Sequence, residues 1–129
     1  MTASEDRTVK VWREFPPGNP EGVATKGSDP AWKCVCTISG VHERTVYDVD
    51  WCHQTGRIAT ACGDDAVRIL EEEEGQPGSP GGETNFSVAA TAYNAHSMDV
   101  NSVTWNPKER DLLASCSDDG EIKLWVLKE

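Results

Sequence analysis

The chain has 129 residues, enough for one domain with a modest core, and 37% of them are apolar. Twenty-two acidic residues against 12 basic ones leave a net charge of −10, which repels phosphate backbones and anionic bilayers and argues against nucleic acid or a membrane surface as partner. No stretch approaches the roughly 18 consecutive apolar residues of a membrane span, and Met1 to Lys10 lacks the apolar segment of a secretion signal. Five cysteines, odd in number and without an export-type framework, point to free thiols in a reducing compartment, cytoplasm or nucleus.

About nine strands are predicted. The first is 8–12, where Val9 and Val11 alternate with Lys10. A long loop, 13–31, precedes a strand at 32–38. Strand 45–51 has Tyr47, Val49 and Trp51 alternating with Asp48 and Asp50, the period of a half-buried strand. Strands 57–62 and 66–70 follow. A second long loop, 71–85, opens on the acidic run Glu71 to Glu74, expected as a solvated segment, with docking of a basic partner as the alternative. The remaining strands are 86–93, 100–105, 112–116 and 121–127, bounded by Asp, Gly and Ser clusters. Six of the seven prolines fall in the two long loops, and no long window carries helical spacing.

The chain repeats itself. His42, Trp51 and Cys62 recur as His96, Trp105 and Cys116, each 54 positions on. Arg57 to Cys62 corresponds to Asp111 to Cys116, and Val46 to Trp51 to Val100 to Trp105. The unit endings Asp64 to Leu70 and Asp119 to Trp125 agree, and a third copy opens the chain at Asp6 to Trp12. An insertion of about ten residues in the 71–85 loop accounts for the excess over a unit of about 40–45 residues. Insertions map to loops because strands must keep register with neighbouring units.

These anchors resemble the WD40 repeat, with a Gly-His-like start, a Val-x-x-Val-x-Trp strand, Leu-Ala-Ser-Cys-Ser, and then Asp-x-x-Ile-Lys-Leu-Trp. The resemblance implies an all-β fold of antiparallel four-stranded sheets. Here that is an incomplete propeller of about two and a half blades from a seven-bladed ring. Residues 1–38 would end one blade, 39–93 form a complete one, and 94–129 form a last blade lacking its fourth strand. It also implies a buried tetrad in each blade: His42 with Thr60 and Asp64 (or Asp65), and His96 with Ser115, Asp119 and Trp125, while Trp12 ends the first copy. In the second unit Leu70 replaces the tryptophan, and Ala95-His96 stands where Gly-His is usual. Buried polar groups of this kind stabilise only when every partner is present.

Within that family, the loops narrow the resemblance. Pro17-Gly18-Asn19, Gly22-Val23, Gly27 to Thr37, Ala59 to Ala66, Ala95 to Asn101 and Trp105 to Glu109 are similar to the WD40 scaffolds of cytosolic iron–sulfur protein assembly. The resemblance implies a scaffold that docks assembly targeting factors and client apoproteins, with no cluster chemistry, cofactor or small-molecule substrate of its own. A generic WD40 adaptor of another complex, and a non-functional truncated product, are the alternatives.

Cys34-x-Cys36 beside His42 invites a metal or redox reading. Structural zinc sites prefer two to four residues between paired cysteines, and 32–38 has the pattern of a strand, so strand cysteines are expected. Cys62 and Cys116, at matched positions, are expected to pack in the sheet, and Cys52 to be partly exposed. His42 or His96 with a neighbouring hydroxyl and carboxylate imitates a catalytic trio. The same trio occurs twice at one spacing, which a structural repeat predicts and an active site does not. His53 carries no partner signal, Met98 is expected as loop or core filling, and Tyr47 as a packing residue. No phosphate loop, nucleophile elbow or zinc-hydrolase signature is present. Blade geometry puts Glu43, Arg44, Asp65, Ser97, Asp99 and Asp118 on one face, as candidates for protein contacts, and the two long loops on the other.

Overall fold

The computed structural model describes residues 1–73 and 84–128. Among these there is no helix. Ten strands form three antiparallel sheets. The first sheet holds β1 (Thr2–Ala3), β2 (Val9–Phe15) and β3 (Ala31–Ile38), in that order. The second is a four-stranded meander of β4 (Val46–Trp51), β5 (Ile58–Cys62), β6 (Val67–Glu72) and β7 (Phe86–Ala92). The third holds β8 (Val100–Trp105), β9 (Leu112–Ser117) and β10 (Ile122–Val126). The sheets pack face to face without closing, the architecture of a partial propeller.

Two clusters of buried side chains lie at the two sheet boundaries. Val9 and Ile38 of the first sheet meet Val46, Ile58 and Leu70 of the second. Ala59, Ala61, Val67 and Ile69 of the second sheet meet Val100, Val103, Trp105 and Leu113 of the third. The middle sheet is therefore buried on both faces. That is why all five residues of β5 are buried and why its sequence is a continuous run of small and apolar residues rather than an alternation. Full burial of a side chain such as Leu70 contributes about 2 kcal/mol. In β10 the alternation returns, because only one face has a neighbour: Trp125 packs inward while Ile122, Leu124 and Val126 stand exposed.

The turns before β2, β6 and β10 are three copies of one structure. An aspartate (Asp6, Asp64, Asp119) accepts the backbone N–H two residues on, at 3.0, 3.2 and 2.8 Å. The residue between them, Arg7, Asp65 or Gly120, has φ of 68°, 66° or 81°. Only Gly120 adopts this left-handed conformation without steric cost.

Several expectations need correction. The pair at Thr2–Ala3 was not expected as a strand. β2 runs on to Phe15 and β3 begins at Ala31, so the first long loop is shorter than 13–31. β6 continues through Glu71 and Glu72, which pair with Ser87 and Phe86, so the acidic run begins as strand. Glu74 and most of the 71–85 loop, 74–83, lie outside the described residues, as does residue 129. Cys62 and Cys116 are not equivalent. Trp51 pairs with Ile58 but Trp105 with Leu113, so the hairpin of the third sheet holds one more residue and the repeat spacing rises by one beyond it. Cys62 then matches Ser117, both opposite the first residue of the preceding strand. Cys52, expected to be partly exposed, is buried in the core; Met98, expected in a loop or the core, lies exposed in the loop before β8.

Candidate functional site

In the third sheet a closed hydrogen-bond chain joins the loop before β8 to β9 and β10. His96 Nδ1 lies 3.0 Å from Asp119 Oδ2, and His96 Nε2 lies 2.8 Å from Ser115 Oγ. Trp125 Nε1 donates to the same Oγ at 2.8 Å. With the carboxylate accepting from Nδ1–H, Nε2 accepts from the Ser115 hydroxyl, whose lone pair takes the indole N–H. Asp119 also accepts the Ser97 amide at 3.1 Å. Burial would raise the Asp119 carboxyl, but the Glu121 and Ser97 amides and His96 outweigh it and hold it below its ordinary value. His96 and Ser115 are both buried, so the trio is a sealed lock between loop, strand and turn.

The second sheet is wired differently. His42 Nε2 lies 2.8 Å from Thr60 Oγ1, matching His96 and Ser115. Of the two candidate aspartates, Asp64 occupies the turn position. It does not reach His42: Arg68 takes it, Nη2 donating to Oδ2 at 2.6 Å and Nη1 to Oδ1 at 3.1 Å. Burial would raise the Asp64 carboxyl, and the Arg68 hydrogen bond turns the balance and keeps it below its usual range. His42 Nδ1 is buried with no hydrogen-bond partner among the described residues. Burial, reinforced by the positive charge of Arg68, lowers the imidazole to about 4. Leu70 fills the tryptophan position with hydrocarbon. In the first sheet, Trp12 Nε1 donates to Thr2 Oγ1 at 3.0 Å, the counterpart of the Trp125–Ser115 bond.

Beside these locks, Glu43, Arg44, Asp65 and Asp99 line one concavity at the edge shared by the second and third sheets. Ser97 borders the adjoining concavity, with Asp65 and Asp119. Asp118 is one step further on, accepting from Asn101 Nδ2 at 2.7 Å while its N–H donates to the Asp99 carbonyl at 3.3 Å. Tyr47 belongs here as well. It is half exposed, and its hydroxyl donates to Asp99 Oδ2 at 3.0 Å, which raises the phenol above its ordinary value. Strand alternation had assigned Tyr47 to packing. A bulge between Val46 and Asp48 turns it outward, and the same irregularity recurs between Val100 and Ser102.

The cysteine pair diverges. The Cys34 thiol is exposed and donates to the Cys36 carbonyl at 3.4 Å, whereas Cys36 packs against the first core cluster, its thiol pushed up by burial. Among the described residues, one group of three potential metal ligands lies close together: His96, Asp119 and Glu121. Its histidine and Asp119 are bonded to each other, and Lys123 Nζ lies 3.7 Å from Glu121 Oε2. His53 rests near the Trp51 ring, 5.1 Å between centroids.

Comparison with known proteins agrees with this geometry. The family described as WD domain, G-beta repeat matches residues 32–70 and 87–126. The chain is 61% identical over 114 residues to a Rattus norvegicus protein named "Probable cytosolic iron-sulfur protein assembly protein CIAO1", which covers 88% of this chain and 33% of the relative. A Homo sapiens relative of the same name is 57% identical over 112 residues, 87% of this chain and 32% of the relative. A Culex quinquefasciatus relative, also named for cytosolic iron–sulfur protein assembly, is 51% identical over 129 residues, 99% of this chain and 37% of its own length. The chain thus spans about a third of the curated relatives it matches.

Proposed function

This chain belongs to the WD40-repeat family, and on that premise we propose that it is part of a non-catalytic docking scaffold of cytosolic iron–sulfur protein assembly. The observation that carries this reading is the identity of 61% across 88% of the chain, loops included, to a relative named for that process. Segments 1–38, 39–93 and 94–129 act in it as successive blades of a longer propeller. Two surface features support that division. Ile122 and Leu124 sit exposed at positions whose counterparts Val67 and Ile69 are buried against a following sheet. Trp51 is exposed where its counterpart Trp105 is buried and donates to the Asp50 carbonyl at 3.1 Å.

Its partners are assembly targeting factors and client apoproteins, met in the cytoplasm and also the nucleus. The chain holds no cofactor and transforms no small molecule. The face that docks them carries Glu43, Arg44, Asp65, Ser97, Asp99 and Asp118, exposed or half-exposed side chains in the loops and turns between strands. Affinity capture from cytosolic extract, with assembly factors identified by mass spectrometry, tests the reading. Capture by the unsubstituted chain and its loss in Arg44→Glu and Asp99→Lys are expected. Equal capture by all three removes that face from the proposal, and capture of no assembly factor by any removes the function.

A further inference from the structure

The loops entering β4 and β8 are equivalent, and the structure ties them down unequally. Glu43 and Ser97 stand 54 residues apart at the same position. The Ser97 amide donates to Asp119 at 3.1 Å, and the neighbouring His96 ring is held by the same carboxylate at 3.0 Å. Among the described residues, the Glu43 amide has only a 3.5 Å contact with Asp64, at the limit of a hydrogen bond, and His42 Nδ1 has no partner. The residue that makes the difference is identifiable. Position 68 is arginine, whose fork engages both oxygens of Asp64. The equivalent Lys123 turns instead to the Ala95 carbonyl at 2.7 Å and leaves Asp119 to the histidine.

A guanidinium matches a carboxylate with two parallel hydrogen bonds, which an ammonium cannot do. Once Asp64 is held this way, its oxygens are directed at Arg68, and the His42 side loses the acceptor that the lock in the third sheet depends on. We propose that Arg68 holds Asp64 away from His42 and so leaves the loop entering β4 free to shift at its Glu43 end, while Ser97 stays pinned; the Arg44 carbonyl, held by the Cys62 thiol at 3.4 Å, marks where the freedom stops. Two seats for the Asp64 carboxylate, Arg68 or His42, give the second sheet two arrangements of that loop. The third sheet has one. This holds whatever docks on the face.

Amide hydrogen exchange, resolved residue by residue by nuclear magnetic resonance on the whole 129-residue chain, tests it. The Glu43 amide is expected to exchange about tenfold faster than the Ser97 amide, the difference of a hydrogen bond or more. Arg68→Lys copies the residue of the third sheet and keeps the charge. It is expected to slow Glu43 to the rate of Ser97 and to bring out a slowly exchanging His42 Nδ1–H resonance. Equal rates at Glu43 and Ser97 in the unsubstituted chain overturn the proposal without reference to any variant. So does a folded Arg68→Lys chain in which Glu43 exchanges as before.

Discussion

Asp48 and Ser102 occupy the same position in successive units and meet across the boundary between the second and third sheets, the Ser102 hydroxyl donating to the Asp48 carboxylate at 2.7 Å. The same oxygen accepts the Val103 amide at 3.0 Å. Two residues on, Asp50 Oδ2 accepts the Trp105 amide at 2.7 Å. In the sequence these carboxylates simply alternate with Tyr47, Val49 and Trp51. They stitch the inner strands of adjacent sheets, satisfying backbone donors that no β-ladder reaches.

Asp50→Ala would leave the N–H of the buried Trp105 without an acceptor. A loss of about 1–3 kcal/mol of stability is expected, read as a lower urea midpoint with an unchanged slope. Asp50→Asn, which keeps an acceptor oxygen, should lose less. An Asp50→Ala chain as stable as the original would show that the inter-sheet carboxylates are incidental.

The hydroxyls of the two locks carry unequal loads. Among the described residues, Ser115 Oγ serves both His96 and Trp125, whereas Thr60 Oγ1 serves His42 alone. Ser115→Ala is therefore expected to cost about 1 kcal/mol more than Thr60→Val, a near-isosteric change at a site with fewer bonds. Parallel denaturant titrations of the two variants decide the order, and the reverse order would count against the closed chain described for the third sheet.

Acid should weaken the second sheet first. The folded chain holds His42 near 4 against an ordinary 6.5, so between those values the unfolded chain binds a proton that the folded chain refuses. Stability conferred by neutral His42 is complete above about pH 6.5, falls as pH drops, and is lost below about 4, a total of about 3 kcal/mol. The depressed Asp64 carboxyl adds a further loss at lower pH. Urea midpoints at pH 7.5 and 4.5 should differ clearly in the original chain and much less in His42→Gln. An unchanged difference in that variant would assign the acid sensitivity to other groups.

The outer face of β10 should make the chain self-associate. Ile122, Leu124 and Val126 are 77, 71 and 67% exposed in one row, an apolar surface of the kind that marks contact sites. Leu124→Lys is expected to shift light-scattering mass toward monomer at equal concentration. Unchanged mass would clear this face of any part in association.

Periodicity and turn residues were enough to place most of the strands, because alternation is a property of the backbone, while the expected pairing of His96 with Ser115 and Asp119 came from the resemblance of the repeated anchors to the WD40 repeat. The blade geometry implied by that resemblance set Glu43, Arg44, Asp65 and Asp99 on one face, and the four line one concavity. Three things waited for the tertiary structure. The bulge before Asp48 turned Tyr47 outward, and one extra residue in a hairpin separated Cys62 from Cys116. The choice of Arg68 over His42 as the partner of Asp64 depended on which donor could reach the carboxylate with two hydrogen bonds. A one-residue change in register, or a competition between two donors for one acceptor, leaves the pattern of residue types almost intact. Their consequences are set by distance and angle, which exist only after the sheets have packed.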